Sequence, residues 1–336
     1  MLSAPSQLLI KNQTLFTQGK WLLVNPEDTD IFTQLDANLD GFYQYFDIYQ
    51  QAEHLPGQHS FAASLESNQQ YDGVIVYMPK AKAQAQMLLA NMANMLKTGG
   101  SLWLVGENKG GIKAAPKLLA PFSDQIVKQD AARHCSLFRC TINKPVKPFN
   151  LKQWQTEFEI NINDCQLKIC SLPGVFNHGA LDTGSRLLLE SIHTLPNGKL
   201  LDFACGAGIV GCYLASKNPA AQILMSDINA LALHCARQTA ELNNIDASII
   251  ASNGLNAISD KFSAIYTNPP FHTGTKTDYQ VSEQFIANAK KALTAKGSLT
   301  LVANAFLKYP ELLQTHLSTV KVLAETSKFK VYHCQL

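Results

Sequence analysis

From residue 199 onward the chain alternates between two kinds of segment, and this alternation limits the folds open to it more than any other feature. Short apolar runs read as buried strands: "KLLDFAC" (199–205), "QILMSDI" (222–228), "SIIAS" (248–252), "FSAIYTN" (262–268) and "GSLTLVAN" (297–304). Between and after them lie runs with helical spacing: "IVGCYLASKN" (209–218), "ALALHCARQTAELNNI" (230–245), "DYQVSEQFIANAKKAL" (278–293) and "PELLQTHLSTV" (310–320). Buried strands joined by helices require a parallel, doubly wound α/β sheet. The last two strand-like runs, "KVLAET" and "FKVYHCQL", are separated by two residues and predict an antiparallel hairpin at the end of the chain.

The first half carries a faint copy of the second. "YDGVIVYMPK" (71–80) parallels "FSAIYTNPPF" (262–271), "LKTGGSLWLVGEN" (96–108) parallels "LTAKGSLTLVAN" (293–304), and "KWLLVNP" (20–26) resembles "KLLDFAC". The matches keep their order and spacing, which reads as an internal duplication. With 336 residues the chain also exceeds the size at which single cores split. Two domains of one fold are therefore expected, 1–148 and 149–336, joined through the proline-bearing stretch 142–154. The copy has no glycine cluster after "WLLVN", and "MPK" stands where the later half has "NPP". The first domain should keep the fold without the site, as a scaffold or substrate reader.

"DFACGAGIVG" (202–211) places Gly206, Gly208 and Gly211 after a strand and before a helix, the context of a nucleotide loop. Asp227 ends the next strand, where a carboxylate binds ribose hydroxyls. So far a dinucleotide-binding dehydrogenase fits equally well. Asp202 argues otherwise, because a carboxylate inside the strand needs a cationic or donor-rich ligand. S-adenosylmethionine brings an ammonium and a sulfonium, whereas a dinucleotide brings a pyrophosphate. Each acid also has a plainer role open to it, a helix cap or loop bond for Asp202 and a strand-end turn for Asp227. Asn253 follows the third strand and either binds an adenine edge or caps its own turn.

"TNPPFH" (267–272) ends the fourth strand abruptly, since neither proline donates a backbone hydrogen bond. The corner suits a planar amine, which is a poor nucleophile until two acceptors hold its hydrogens and localise its lone pair. The Asn268 oxygen and the Pro269 carbonyl are the expected acceptors, Pro270 stiffens the corner, and Phe271 stacks on the base.

Net charge is only +2, but its distribution is uneven. Residues 1–79 carry two lysines against nine acids, and residues 80–147 carry eleven Lys or Arg against three acids, a local +8. That excess is either a solvated face or a footprint for a phosphate backbone. Lys80, Lys82, Lys109, Lys113 and Arg133 are the expected RNA contacts. The eight cysteines show C-x4-C spacings in place of metal-type C-x2-C, and offsets of five within a strand put the sulfurs on opposite faces. Buried thiols, without metal, are expected. No apolar run approaches a membrane span of about 20 residues. The start lacks a basic segment followed by an apolar core, so a cytoplasmic protein is expected.

"LDFACGAGIVG", "SDI", "TNPPFH", "VANAFLKYP" and the final "FKVYHC" resemble the small-subunit ribosomal RNA guanine-N2 methyltransferases of the RsmC family. So do "LPGVFNHGALDTGSRLLL" (172–189) upstream and "MPKAKAQAQ" and "LVGENKGGIKAA" in the first half. The resemblance implies two Rossmann-like class I methyltransferase domains in tandem, each a seven-stranded, mostly parallel sheet closed by an antiparallel hairpin. It implies S-adenosylmethionine as cofactor and the exocyclic N2 of guanine 1207 of 16S rRNA, within the 30S subunit, as target. The cofactor loop falls on Asp202, Ala204, Gly206 and Gly208, the ribose acid on Asp227, and the amine corner on Asn268, Pro269, Pro270 and Phe271. Ala204 stands where the family often has glycine, a departure expected to matter little. An adenine-N6 or glutamine-N5 methyltransferase remains open on the same corner, as does a non-catalytic RNA-binding assembly factor. Two like domains in one chain can replace a dimer, so a monomer is expected.

Overall fold

The computed structural model describes residues 1–269, 276–307 and 309–336. The chain divides into two compact units, Met1–Gln155 and Thr156–Leu336. In the first unit β1 (Lys20–Val24), β2 (Asn38–Tyr43), β3 (His59–Phe61), β4 (Tyr71–Tyr77), β5 (Leu96–Glu107), β6 (Ile126–Ala132) and β7 (Cys135–Thr141) form one sheet in the order β3-β2-β1-β4-β5-β7-β6. In the second, a hairpin of β8 (Thr156–Ile162) and β9 (Cys165–Ser171) precedes a further sheet. That sheet holds β10 (Lys199–Phe203), β11 (Gln222–Asp227), β12 (Ser248–Ala251), β13 (Phe262–Thr267), β14 (Leu293–Asn304), β15 (Thr319–Glu325) and β16 (Phe329–Gln335). Its order, β12-β11-β10-β13-β14-β16-β15, is the same topology again.

The copies agree residue for residue at the centre. Val24 of β1 pairs with Phe42 and Val76, and Phe203 of β10 pairs with Ser226 and Thr267, each time in parallel. The expected hairpin is present, with β15 and β16 antiparallel and β16 antiparallel to β14. Several boundaries differ from the expectation: the helix read over 230–245 ends at Leu242, and the strand read from 297 starts at Leu293. The helix read over 310–320 ends at His316, and Thr319 and Val320 already belong to β15. The Thr and Val side chains are β-branched and favour the extended backbone.

Strand alternation divides each core. In the first unit Leu22 and Val24 pack into one apolar cluster and Trp21 and Leu23 into another. Cys135 and Cys140 fall into opposite clusters, as their offset of five along β7 requires. All eight cysteines are buried and free. In the second unit Leu201, Phe203, Ile265 and Leu301 pack against Phe285, Ile286 and Ala289 of the helix Lys276–Ala292, with Phe203 and Phe285 stacked at 4.4 Å. Asp202, between Leu201 and Phe203, is directed to the other face. Among the described residues no helix is long and apolar enough to cross a membrane.

Candidate active site

In a doubly wound sheet, ligands lie beyond the carboxyl ends of the strands. The pairing of Phe203 with both Ser226 and Thr267 brings three such ends together, so Ala204, Asp227 and Asn268 leave neighbouring strands at one level. The loop after β10 then turns sharply. Ala204, Gly206 and Gly208 all have positive φ, at 56°, 54° and 78°. At Gly208 a Cβ would sit 3.0 Å from Ala236, whereas at Gly206 it would meet nothing within 4 Å. Gly208 is thus needed for close packing on the helix Ala230–Leu242, and Gly206 leaves open space above the loop backbone. Ala204 is the surprise. An L-residue in this region costs about 1–2 kcal/mol, so the departure from glycine at Ala204, expected to matter little, carries a backbone cost.

The two acids hold the loop in shape. Asp202 is 1% exposed, and its Oδ2 accepts from the Gly211 N–H at 2.7 Å, in the first turn of the helix Ile209–Lys217. The helix cap weighed as the plainer role is therefore real, and it places the carboxyl group at the positive end of a helix dipole. Burial pushes its pKa up to about 8 from the ordinary 3.8, opposed by the Gly211 N–H and assisted by the neighbouring Asp227. Asp227 is half-buried; its Oδ2 accepts from Gly206 N–H and its Oδ1 from Asn229 N–H, both at 2.9 Å. Burial raises its pKa too, against those N–H groups. Each of these oxygens keeps a lone pair for a further donor. In the turn after β12, the Ser252 hydroxyl donates to Gly254 O at 2.8 Å and accepts from Ala257 N–H at 3.3 Å. Ser252, in place of the Asn253 side chain, ties that turn.

Asn268 is the best-defined group of the site. Its Nδ2 donates to Asp182 Oδ2 and to Ser185 Oγ, both at 2.9 Å. Both amide hydrogens are committed, so the oxygen is what the side chain offers a ligand. Asp182 in turn caps the helix Thr183–Glu190, its Oδ2 accepting from Ser185 N–H at 2.9 Å. Sequence reasoning missed Asp182 and Ser185 as site residues. The available signal was "LDTGS", a capping acid three residues before a serine, in a segment already noted for its resemblance. Pro269 is buried at the end of this strand, while Pro270, Phe271 and His272 lie outside the described residues.

The first unit holds the same positions with different side chains. By register Leu23 stands in the place of Asp202, Tyr43 in that of Asp227 and Tyr77 in that of Asn268. The duplication even includes the supporting helix. Ser3 caps Ala4–Lys11 as Asp182 caps its helix, and Ser6 takes the place of Ser185. Ser6 Oγ lies 2.8 Å from the buried Tyr77 hydroxyl and donates to Asp28 at 2.6 Å. A closed network of side chains fills the spot where the second unit presents an acceptor. The five cations expected to touch RNA are all exposed on the first unit. Lys80 and Lys82 follow β4, Lys109 and Lys113 follow β5, and Arg133 sits in the β6–β7 turn, which is tied to Asn108 by the bond from its N–H to His134 O at 2.8 Å. They gather at the carboxyl edge of the sheet, the edge that carries the site in the other copy. Among the described residues none of the five forms an ion pair, and no metal-ligand cluster of His, Cys, Asp or Glu occurs.

Residues 166–333 match the family described as "Methyltransferase small domain", and residues 6–158 match "Methyltransferase small domain N-terminal". Two relatives bear the name "Ribosomal RNA small subunit methyltransferase C". That of Pseudoalteromonas atlantica is 51% identical, covering 100% of both chains, and that of Aeromonas hydrophila is 43% identical over 98% of each. A solved structure named "T. Thermophilus 16S rRNA N2 G1207 methyltransferase (RsmC) in complex with AdoMet and Guanosine" superimposes with a TM-score of 0.85 at 22% identity. The match covers 99% of this chain and 92% of that one, and the two share the tandem fold.

Two outcomes are expected of the loop. Ala204→Gly should stabilise the protein by about 1 kcal/mol through relief of the positive φ; a urea melt with a lower midpoint for the variant would contradict this. Asp202 holds a proton between its unfolded pKa near 3.8 and about 8, so the stability of the cofactor-free protein should decline as pH rises through that window. A cationic ligand beside Asp202 must displace that proton. S-adenosylmethionine affinity should accordingly weaken below pH 8, by at most about tenfold per unit, and Asp202→Asn should bind more weakly with a flat profile. Calorimetric titrations from pH 6 to 9 test this, and a flat wild-type profile would remove Asp202 from the ammonium site.

Proposed function

We propose that this chain, which belongs to the ribosomal RNA small subunit methyltransferase C family, transfers a methyl group from S-adenosylmethionine to the exocyclic N2 of guanine 1207 in 16S rRNA. The observation that carries this reading is Asn268, whose amide hydrogens are both held by Asp182 and Ser185 at the carboxyl end of β13. An acceptor fixed in this way accepts a hydrogen bond from an aryl amine and turns the amine lone pair out of conjugation. Because Asp182 and Ser185 hold the amide beforehand, little reorganisation is left for the reaction itself. Acceptors also stabilise the positive charge that grows on nitrogen as it is alkylated, and the alkylated nitrogen then releases one proton to water to give the neutral methylamine beside the departing thioether. The Pro269 carbonyl serves as the second acceptor, Pro270 stiffens the corner, and Phe271 stacks on the base.

The cofactor fits the second unit. The open approach at Gly206, the half-buried Asp227 and the Asp202 carboxyl suit a ligand with a ribose and a cationic end. Ala204, Gly206 and Gly208 would carry it on the loop, Asp227 would take the ribose hydroxyls, Asp202 would face the ammonium, and Asn253 would meet the adenine. When bound, S-adenosylmethionine supplies a methyl group on a sulfonium, which is a good leaving group without help from a protein nucleophile.

The first domain, read as residues 1–148, serves as the RNA reader and scaffold. Lys80, Lys82, Lys109, Lys113 and Arg133 form a cationic edge without internal partners among the described residues, suited to phosphate. The substrate is the 30S subunit, the enzyme acts as a monomer in the cytoplasm, and the second domain, residues 149–336, does the chemistry.

Labelled S-adenosylmethionine and unmodified 30S subunits provide the test. Label should appear in N2-methylguanine and fall roughly 100-fold in rate in Asn268→Ala, with cofactor affinity retained. Label on adenine or on a protein glutamine would instead support the alternatives that the corner also serves. Replacing the five cations with glutamine should reduce the slope of log affinity for RNA against log salt by about 0.7–0.9 per lost phosphate contact. An unchanged slope would refute the cationic edge.

A further inference from the structure

We propose that Phe306 is a stacking platform for an RNA base that flanks the target guanine. The proposal rests on the functional reading above and extends it to the substrate's neighbouring nucleotide. Phe306 is 69% exposed in the turn that follows β14. That strand lies beside β13, with Leu301 paired to Thr267, so the turn emerges at the same carboxyl edge as Asn268, one strand away.

A single exposed aromatic ring is ordinary on a protein surface; this one is set apart by how and where it is held. Leu307 is 5% and Tyr309 2% exposed, and both pack into the core with Phe203 and Phe285. The turn itself is tied by Ala305 N–H to Lys328 O at 2.8 Å and by Leu307 N–H to Asn304 O at 3.1 Å. Buried neighbours and backbone bonds thus hold the chain on both sides of Phe306 and leave its ring in water. Only two side-chain torsions remain to be ordered on binding. The second unit has one other exposed phenylalanine among its described residues, Phe176. It lies in the segment leading to Asp182, which Asn229 Nδ2 ties at Gly174 O, 3.2 Å away. The segments that bear these two residues thus meet the same edge of the sheet, one after β14 and one tied beside the end of β11.

The chemistry of the substrate supplies the reason. A guanine whose N2 reaches Asn268 has left its stack, and its neighbours have lost a stacking partner. Proteins that take unstacked RNA compensate with aromatic faces, each worth about 1–3 kcal/mol per base. A phenylalanine has no hydrogen-bonding group, so it accepts any base. That tolerance suits a flanking nucleotide and not the target, which must be told apart by its edges.

The test uses the full chain, unmodified 30S subunits and labelled S-adenosylmethionine, with Phe306→Ala, Phe306→Leu and Phe306→Trp beside the wild type. Phe306→Ala should raise KM for the 30S subunit about 5- to 150-fold, with cofactor Kd and melting temperature unchanged. Phe306→Trp should restore the wild-type KM, and Phe306→Leu should behave like alanine. An unchanged KM in Phe306→Ala overturns the proposal. Full rescue by leucine overturns it too, because it assigns the ring to an apolar contact such as one with a ribosomal protein. Absence of RNA labelling in the wild type is a separate result. It removes the functional reading, and the proposal with it, before any variant is compared.

Discussion

The parallel pairing of Phe203 with Ser226 on one side and Thr267 on the other is the constraint from which the site follows. It brings three strands to an end at one level, and each releases a different chemical element there: the glycine loop, an acid and an amide. A shift of one residue in either pairing would turn every side chain of that strand to the opposite face. Asp202 would then lose the helix N-terminus and Asn268 the capped helix that holds it. The apolar packing of Leu201, Phe203, Ile265 and Leu301 on the Lys276–Ala292 helix secures the register, so the core and the site are two consequences of the same alignment.

The first unit shows how little of that alignment is chemistry. It keeps the topology, the central register and even the capped supporting helix. Leucine, tyrosine and tyrosine nevertheless occupy the positions of the two acids and the amide, and Ser6, Asp28 and Tyr77 satisfy one another. In the second unit the Asn268 amide hydrogens are spent on Asp182 and Ser185 while its oxygen is kept, and Asp202 is buried against the Gly211 N–H. The difference is one of satisfaction: a binding site must keep some of its hydrogen-bonding capacity unspent, and a scaffold spends it internally.

Asp202 illustrates the cost of that unspent capacity. Burial raises its pKa to about 8, so the cofactor-free protein carries a carboxyl group that is destabilised when ionised. Ala204 adds a strained backbone angle to the same loop. Both features lie within three residues of each other, in the loop proposed to carry the cofactor.

Periodicity and punctuation made most of the architecture legible: the alternation of strands and helices, the closing hairpin, the duplication, the glycine loop and the proline corner. These are local properties, because a strand's burial and a turn's torsions are written in consecutive side chains. The acids at 202 and 227 and the amide at 268 could be selected as well, since each terminates or interrupts an apolar strand where a charge or amide has no packing use. What Asn268 does with its amide could not be read in this way. Its partners Asp182 and Ser185 are 86 and 83 residues away in the chain, and the sequence near Asn268 contains no trace of them. The positive φ of Ala204 was likewise hidden, because alanine is ordinary in every backbone region except the one into which Asp227 and the helix behind it force the loop. The sequence by itself determined which strands lie in the sheet and which residue types stand at their ends. Only the tertiary structure decided which oxygen is left for a ligand, because that depends on hydrogen bonds between segments that meet only once the sheet is assembled.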